Sequence, residues 1–258
     1  NIILRTSGAF RDFTGVSVTT TAQQATSVTA TITSPAIREA TAGSSGNSVT
    51  YRITPSGGTA DKFKISNPFT GNNLSVDSVE IDGRLQWFQE SATPPSGHPT
   101  GENQIIWYYD TSNDRLEVWS RQSAVVPGKN IDITFKFDAP TSTSTGNNFN
   151  LYAFDDFQDA AAEDTTNIIN TNVDFDIIPG PLDHFVYTTN PGATETAGGA
   201  IAVFIEARDS NDNLVDTYVG PAVISDTTGT ISEGSAGGGV TSIVFIGGEY
   251  DGTGGTLY

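Results

Sequence analysis

Apolar residues in this chain recur at every second position, in short runs cut off by Gly, Pro, Asn and Asp. A two-residue period places alternate side chains on opposite faces of an extended chain, so such runs specify strands half buried against a core. Residues 27–33 set Val28, Ala30 and Ile32 against polar neighbours, and residues 48–54 do the same with Val49, Tyr51 and Ile53. Residues 131–137 alternate Ile131, Ile133, Phe135 and Phe137 with Asp132, Thr134 and Lys136. Between the runs 76–81 and 84–89 stands Asp82-Gly83, a pair that tolerates the positive φ of a type I′ hairpin turn. A second hairpin is predicted between 104–109 and 115–119, turning through 110–114, and runs at 149–155 and 172–177 follow. Helical composition is confined to Phe157-Gln158-Asp159-Ala160-Ala161-Ala162-Glu163-Asp164, two turns at most. The fold class expected is all-β.

A chain of 258 residues makes one large domain or two modest ones. The boundary is placed at Ile178-Pro179-Gly180-Pro181, because two prolines around a glycine continue neither a ladder nor a helix. A new strand series follows at 182–187, 200–208, 221–225 and 240–246. The expectation is two β-sandwiches in tandem, residues 1–178 and 179–258. The second is shorter than the roughly 100 residues of an antiparallel sandwich of this kind. Either the natural chain continues past Tyr258, or another chain supplies a missing strand.

The stretch Pro179-Gly180-Pro181-Leu182-Asp183-His184-Phe185, followed by Thr196-Ala197-Gly198-Gly199, resembles the start of a bacterial immunoglobulin-like repeat. Ile205-Glu206-Ala207-Arg208-Asp209-Ser210-Asn211-Asp212-Asn213-Leu214-Val215, then Tyr218-Val219-Gly220, resembles the middle strands of the same module. The resemblance covers residues 179–258 and implies an immunoglobulin-like sandwich serving as spacer, stalk or binding module in a large surface or adhesin-type protein. Residues 1–178 carry no motif that assigns them to a family.

Charge narrows the partners. Thirty acidic residues face twelve basic ones, a net of −18, and no basic face for phosphates can be assembled, so nucleic acid is not an expected partner. Residues 1–136 carry 12 acidic and 11 basic residues; residues 137–258 carry 18 acidic residues and Arg208 as the sole base. The later half therefore repels itself unless salt, a divalent cation or a basic partner relieves it. No run of about 18 apolar residues exists, so membrane insertion by a helix is not expected. Cysteine is absent, which removes disulfides, zinc-thiolate sites and thiol nucleophiles together. Asn1-Ile2-Ile3-Leu4-Arg5 is too short for a signal peptide and lacks Met, as in a mature chain whose leader has gone. The expected location is extracellular or at the cell surface.

Calcium, which needs several hard oxygens converging on one point, is the cofactor that two acidic groups could hold. One is Asp155, Asp156 and Asp159, with Glu163 and Asp164 close behind; the other is Asp209, Asn211 and Asn213. The latter is no EF-hand, since Leu214 stands where the loop needs Gly and Gly220 where it needs a bidentate Glu. Its alternative is a hairpin turn whose Asp and Asn bond their own backbone. Asn73-Leu74-Ser75 is the sole glycosylation sequon, placing a candidate sugar on Asn73.

Enzymatic chemistry is not expected. His98 lies in Pro94-Pro95-Ser96-Gly97-His98-Pro99 without adjacent acids, and His184 belongs to the module's pattern. Two histidines cannot build a catalytic zinc site alone, and Gly237-Gly238-Gly239 precedes a strand rather than a phosphate-binding helix. Glycosidase chemistry would have to use Glu80, Glu90, Glu102 and Glu117. These surround Trp87, Trp107 and Trp119, which all fall within 33 residues. Alternation predicts that Trp107 and Tyr109 point one way and Tyr108 the other, and that Trp87 opposes Phe88. The aromatics either fill a sandwich core or leave a platform on which polysaccharide rings stack. The leading expectation is a structural subunit of a surface layer, stalk or filament that assembles with copies of itself. Ile2, Ile3 and Leu4 are its candidate contact, because an apolar strand is an edge hazard until paired. A carbohydrate-binding or adhesive module is the alternative.

Overall fold

A computed structural model describes residues 27–58, 60–101, 104–121, 125–154, 174–190, 192, 194, 196, 199–227, 231, 240–252 and 257. These residues form β-strands, turns and loops, with no helix among them. Ile2, Ile3, Leu4, the stretch 157–164 and the group Asp155, Asp156 and Asp159 lie outside the described residues.

One antiparallel sheet runs β1 (Ser27–Ser34), β3 (Asn47–Ser56), β10 (Ile131–Phe137), β5 (Ser75–Ile81), β6 (Arg84–Leu85) in that order. A second runs β12 (Leu151–Phe154), β4 (Lys62–Ser66), β9 (Arg115–Ser120), β8 (Gln104–Asp110), β7 (Trp87–Glu90), its last pair parallel. A third joins β11 (Ser144–Asn148), β13 (Asp174–Ile178) and β2 (Glu39–Thr41). Strand β10 alternates buried and half-buried positions along its whole length, as its sequence predicts. Its Ile131, Ile133 and Phe135 join Tyr51 and Ile53 of β3, Phe63 and Ile65 of β4, and Leu116 and Val118 of β9 in one apolar cluster. Phe149 sits at its centre, its ring 5.2 Å from Phe135, 5.1 Å from Phe137 and 6.0 Å from Phe175, while the buried Tyr51 hydroxyl donates to its carbonyl.

The Asp82-Gly83 turn forms as expected, with φ of 53° and 73°. The run after it does not stay in one sheet. Leu85 pairs with Glu80, and the chain then crosses to the second sheet, where Trp87 pairs with Gln104. Gln86 is the crossing point; it is buried and its backbone amide donates to the Val79 carbonyl at 2.8 Å.

After residue 178 a second, separate cluster gathers Val203, Ile205, Ala207, Ile224, Ile243, Phe245 and Tyr250. Its strands are β14 (His184–Thr189), β15 (Phe204–Arg208) and β18 (Glu249–Asp251) in one sheet, and β16 (Pro221–Ser225) and β17 (Val240–Val244) in another. The run 200–208 enters its sheet only at Phe204.

Candidate functional site

The registers decide where the tryptophans point. Trp107 lies opposite Val118 and belongs to the core. Trp119 lies opposite Ile106, and Gln89 also pairs with Ile106, so Trp87, Gln89, Ile106 and Trp119 share the other face of the second sheet. Trp87 opposes Phe88, which packs against the core, as alternation predicts. The three rings do not form one open platform. Trp87 is 61% exposed, whereas Trp107 and Trp119 keep 6% and 3%.

Trp119 is shut in by charge and by a loop. Lys62 Nζ lies 4.2 Å from its ring centre, a cation–π contact strengthened by burial. The His98 ring is 5.5 Å away, and His98 Nδ1 lies 2.8 Å from the Ser120 carbonyl. Beside them Glu117, buried, stands 3.5 Å from Lys64 Nζ and 3.9 Å from Lys62 Nζ, and accepts from Arg115 Nε at 3.1 Å. Arg115 Nε also lies 3.4 Å from Asp110. Sequence reasoning missed this cluster. Its signal is present in Lys62-Phe63-Lys64-Ile65, where two lysines alternate with core residues across the ladder from Glu117. Glu80 is on β5, Glu90 on β7 and Glu117 on β9, and Glu102 lies outside the described residues.

The loop after β15 brings Asp209, Asn211 and Asn213 together, but around N–H donors. Asp209 is wholly buried; Oδ2 accepts from Gly180 N at 2.8 Å, and Oδ1 accepts from Asn211 N and Asn213 N at 2.9 Å each. Burial alone would raise this carboxyl's pKa, yet the bonds from the Asn213 side chain and the three amides outweigh it and hold it below the ordinary carboxylate value. The two asparagines then reach the first cluster's loops. Asn211 Nδ2 donates to the Ala42 carbonyl at 3.1 Å, Asn213 Nδ2 to the Thr141 carbonyl at 2.7 Å, and Thr143 N to Asn213 Oδ1 at 3.2 Å. The turn bonds its own backbone and also clasps its neighbour. A cation would have to displace these donors. Among the described residues no group of three or more His, Cys, Asp or Glu side chains could hold a metal.

Near the clasp, His184 stands between two carboxylates, 3.0 Å from Asp183 Oδ2 and 3.2 Å from Asp212 Oδ1. Asn73 is exposed, next to buried Leu74 and two residues before the start of β5.

Among the described residues, nothing covers one side of the second cluster. Phe185 and Tyr187 of β14 pair with Ala207 and Ile205, whose side chains are buried, so both rings face inward. They are nevertheless 39% and 42% exposed. Beside Tyr187 a cavity of about 410 Å³ is walled by Ile201, Val203, Ile224, Ile231 and Leu257, with Asn190, Ser225 and Asp226 also lining it.

No protein-family model matches the chain, and no curated protein or solved structure matches it.

Proposed function

We propose that the chain is a structural subunit of an extracellular assembly, built as two β-sandwiches in tandem, the second immunoglobulin-like, and assembling through β-strand contacts between copies. The observation that carries this reading is the inward-facing yet exposed pair Phe185 and Tyr187. Rings on the core side of a sheet are ordinarily covered, and a sandwich with an uncovered side is completed by another strand. The other face of β16 and β17 adds exposed Val223 and Val244, with Val219 and Ile246 at the strands' ends, all at 63–82% exposure. Apolar surface of this kind marks contact with a partner. The clasp supports a mechanical role, because it couples the two clusters by hydrogen bonds. The acidic composition of the chain fits the cell exterior. Negative-stain electron microscopy of the purified chain tests this: ordered polymers or a lattice are expected, and dispersed single particles at every concentration would reject it.

Exposed Trp87 favours a second reading, in which the edge of the second sheet contacts polysaccharide. Titration with glycans should then quench its fluorescence, and Trp87→Phe should abolish the response. A flat titration across neutral and acidic glycans removes this reading.

A further inference from the structure

The side of the second cluster left open among the described residues has a shape, a chemistry and a charge, and together they select an occupant. Its floor is the aliphatic wall of the cavity beside Tyr187. Its sides are β14 and β16, each the outermost strand of its sheet among the described residues. A strand at an edge presents backbone donors and acceptors to any extended segment that arrives. An extended segment alternates its side chains, so the best-fitting one carries apolar residues two apart. Residues 179–258 hold ten acidic side chains against Arg208, so a cation on the segment is attracted and an anion is repelled.

Asn1-Ile2-Ile3-Leu4-Arg5 meets each requirement, with Ile2 and Leu4 two apart, Arg5 basic and no acidic residue. Resting on the assembly reading above, we propose that residues 1–5 of a second copy lie as an added strand in the gap between β14 and β16. Ile2 and Leu4 enter the cavity beside Tyr187, and Arg5 faces the acidic surface. The contact joins a segment of one copy to a groove on the next, so it is heterologous and propagates a chain of subunits rather than closing a pair.

Two variants of the full chain separate donor from acceptor. Deletion of residues 1–7 removes the strand and keeps the groove. Tyr187→Glu places a charge at the groove and keeps the strand, and an unchanged circular dichroism spectrum verifies its fold. Leu4→Asp serves as a second donor variant. Sedimentation of the wild-type chain should show polymers, each variant alone should be monomeric, and a mixture of deletion and Tyr187→Glu should give one-to-one dimers and nothing larger. A synthetic peptide of residues 1–8 should bind the deletion variant, and Leu4→Asp in that peptide should weaken binding about tenfold. If the wild type and the deletion variant both polymerise, this contact is overturned while the assembly reading stands. If the wild type is monomeric and the peptide binds the deletion variant, the strand closes on its own chain and the contact between copies is overturned. A monomeric wild type without peptide binding rejects both.

Discussion

Asn211 donates its side-chain amide to the Ala42 carbonyl at 3.1 Å, across 169 positions of sequence. Nothing in this bond needs a bulky or charged partner; it needs an amide donor held at one place. Asp209 holds it there, by accepting the Asn211 and Asn213 backbone amides within the loop and the Gly180 amide from the connecting segment. The loop is thus fixed internally by a carboxylate and externally by two asparagines.

Removing the carboxylate should cost more than removing an outer contact. Asp209→Ala removes the shared acceptor of three part-buried amides, and we expect a loss of about 2–3 kcal/mol; Asn211→Ala loses one such bond, about 1 kcal/mol. Urea denaturation measures both. The absence of cysteine allows paired spin labels at exposed Ala92 and Ser242, each changed to Cys. The wild-type distance distribution should be narrow and insensitive to calcium chelation, and that of Asp209→Ala broad. Equal widths would deny the clasp its role.

Acid should release the same loop. The folded-state pKa of Asp209 lies below the ordinary value, as does that of Asp110, where burial is outweighed by bonds from the Asn113 side chain and the Ser112 amide and by Arg115. Depressed carboxyls contribute stability that is complete above the unfolded value, about 3.9, and lost as pH falls through the lower folded value. Protonation across a chain of net charge −18 also relieves repulsion, which acts in the opposite direction. The informative quantity is therefore a difference. The stability gap between wild type and Asp209→Asn should be constant from pH 7 to about 5 and shrink below about 4. A gap independent of pH would contradict the ionised clasp.

The strands that could be read from sequence were those with one wet face. In β10 the buried positions are the odd-numbered ones throughout, and the Asp82-Gly83 turn was written in two residues. Strand β4 carries a polar–apolar alternation, but Lys62, Phe63, Lys64 and Ile65 are all buried, so its two-residue period does not report which face is covered. Likewise the fate of three tryptophans depended on register: Trp107 and Trp119 are both buried, on opposite faces. The clasp was half legible. Asp209 and Asn213 announced a turn, but bonds to Ala42 and Thr141 depend on how distant segments meet.

The buried charges around Glu117 make a separate prediction. Lys62, Lys64 and Arg115 converge on one carboxylate, so Glu117→Gln should destabilise the chain by about 3 kcal/mol. Replacing the ionic group with apolar residues of similar volume should cost less, because two desolvated charges then disappear together. Guanidinium denaturation of Glu117→Gln against the double variant Lys64→Met, Glu117→Met checks the order; a double variant weaker than the single one would mean that shape, rather than charge, governs the site.

Two glycines in one turn region separate clearance from conformation. Gly43 and Gly46 both have positive φ, 73° and 66°, so alanine at either incurs a left-handed backbone penalty of about 1–2 kcal/mol. At Gly46 a methyl group would meet nothing within 4 Å, whereas at Gly43 it would lie 2.8 Å from Asn211 Nδ2. That atom is the donor to Ala42, so the methyl must push the clasp aside. Gly43→Ala should therefore lower the melting temperature more than Gly46→Ala and broaden the Ala92–Ser242 label distances, while Gly46→Ala leaves them narrow. In an Asn211→Ala background the extra cost of Gly43→Ala should vanish, because the obstructing side chain is gone. Strict additivity of the two substitutions would place Gly43 and Asn211 out of contact and remove the clasp's fit at this point.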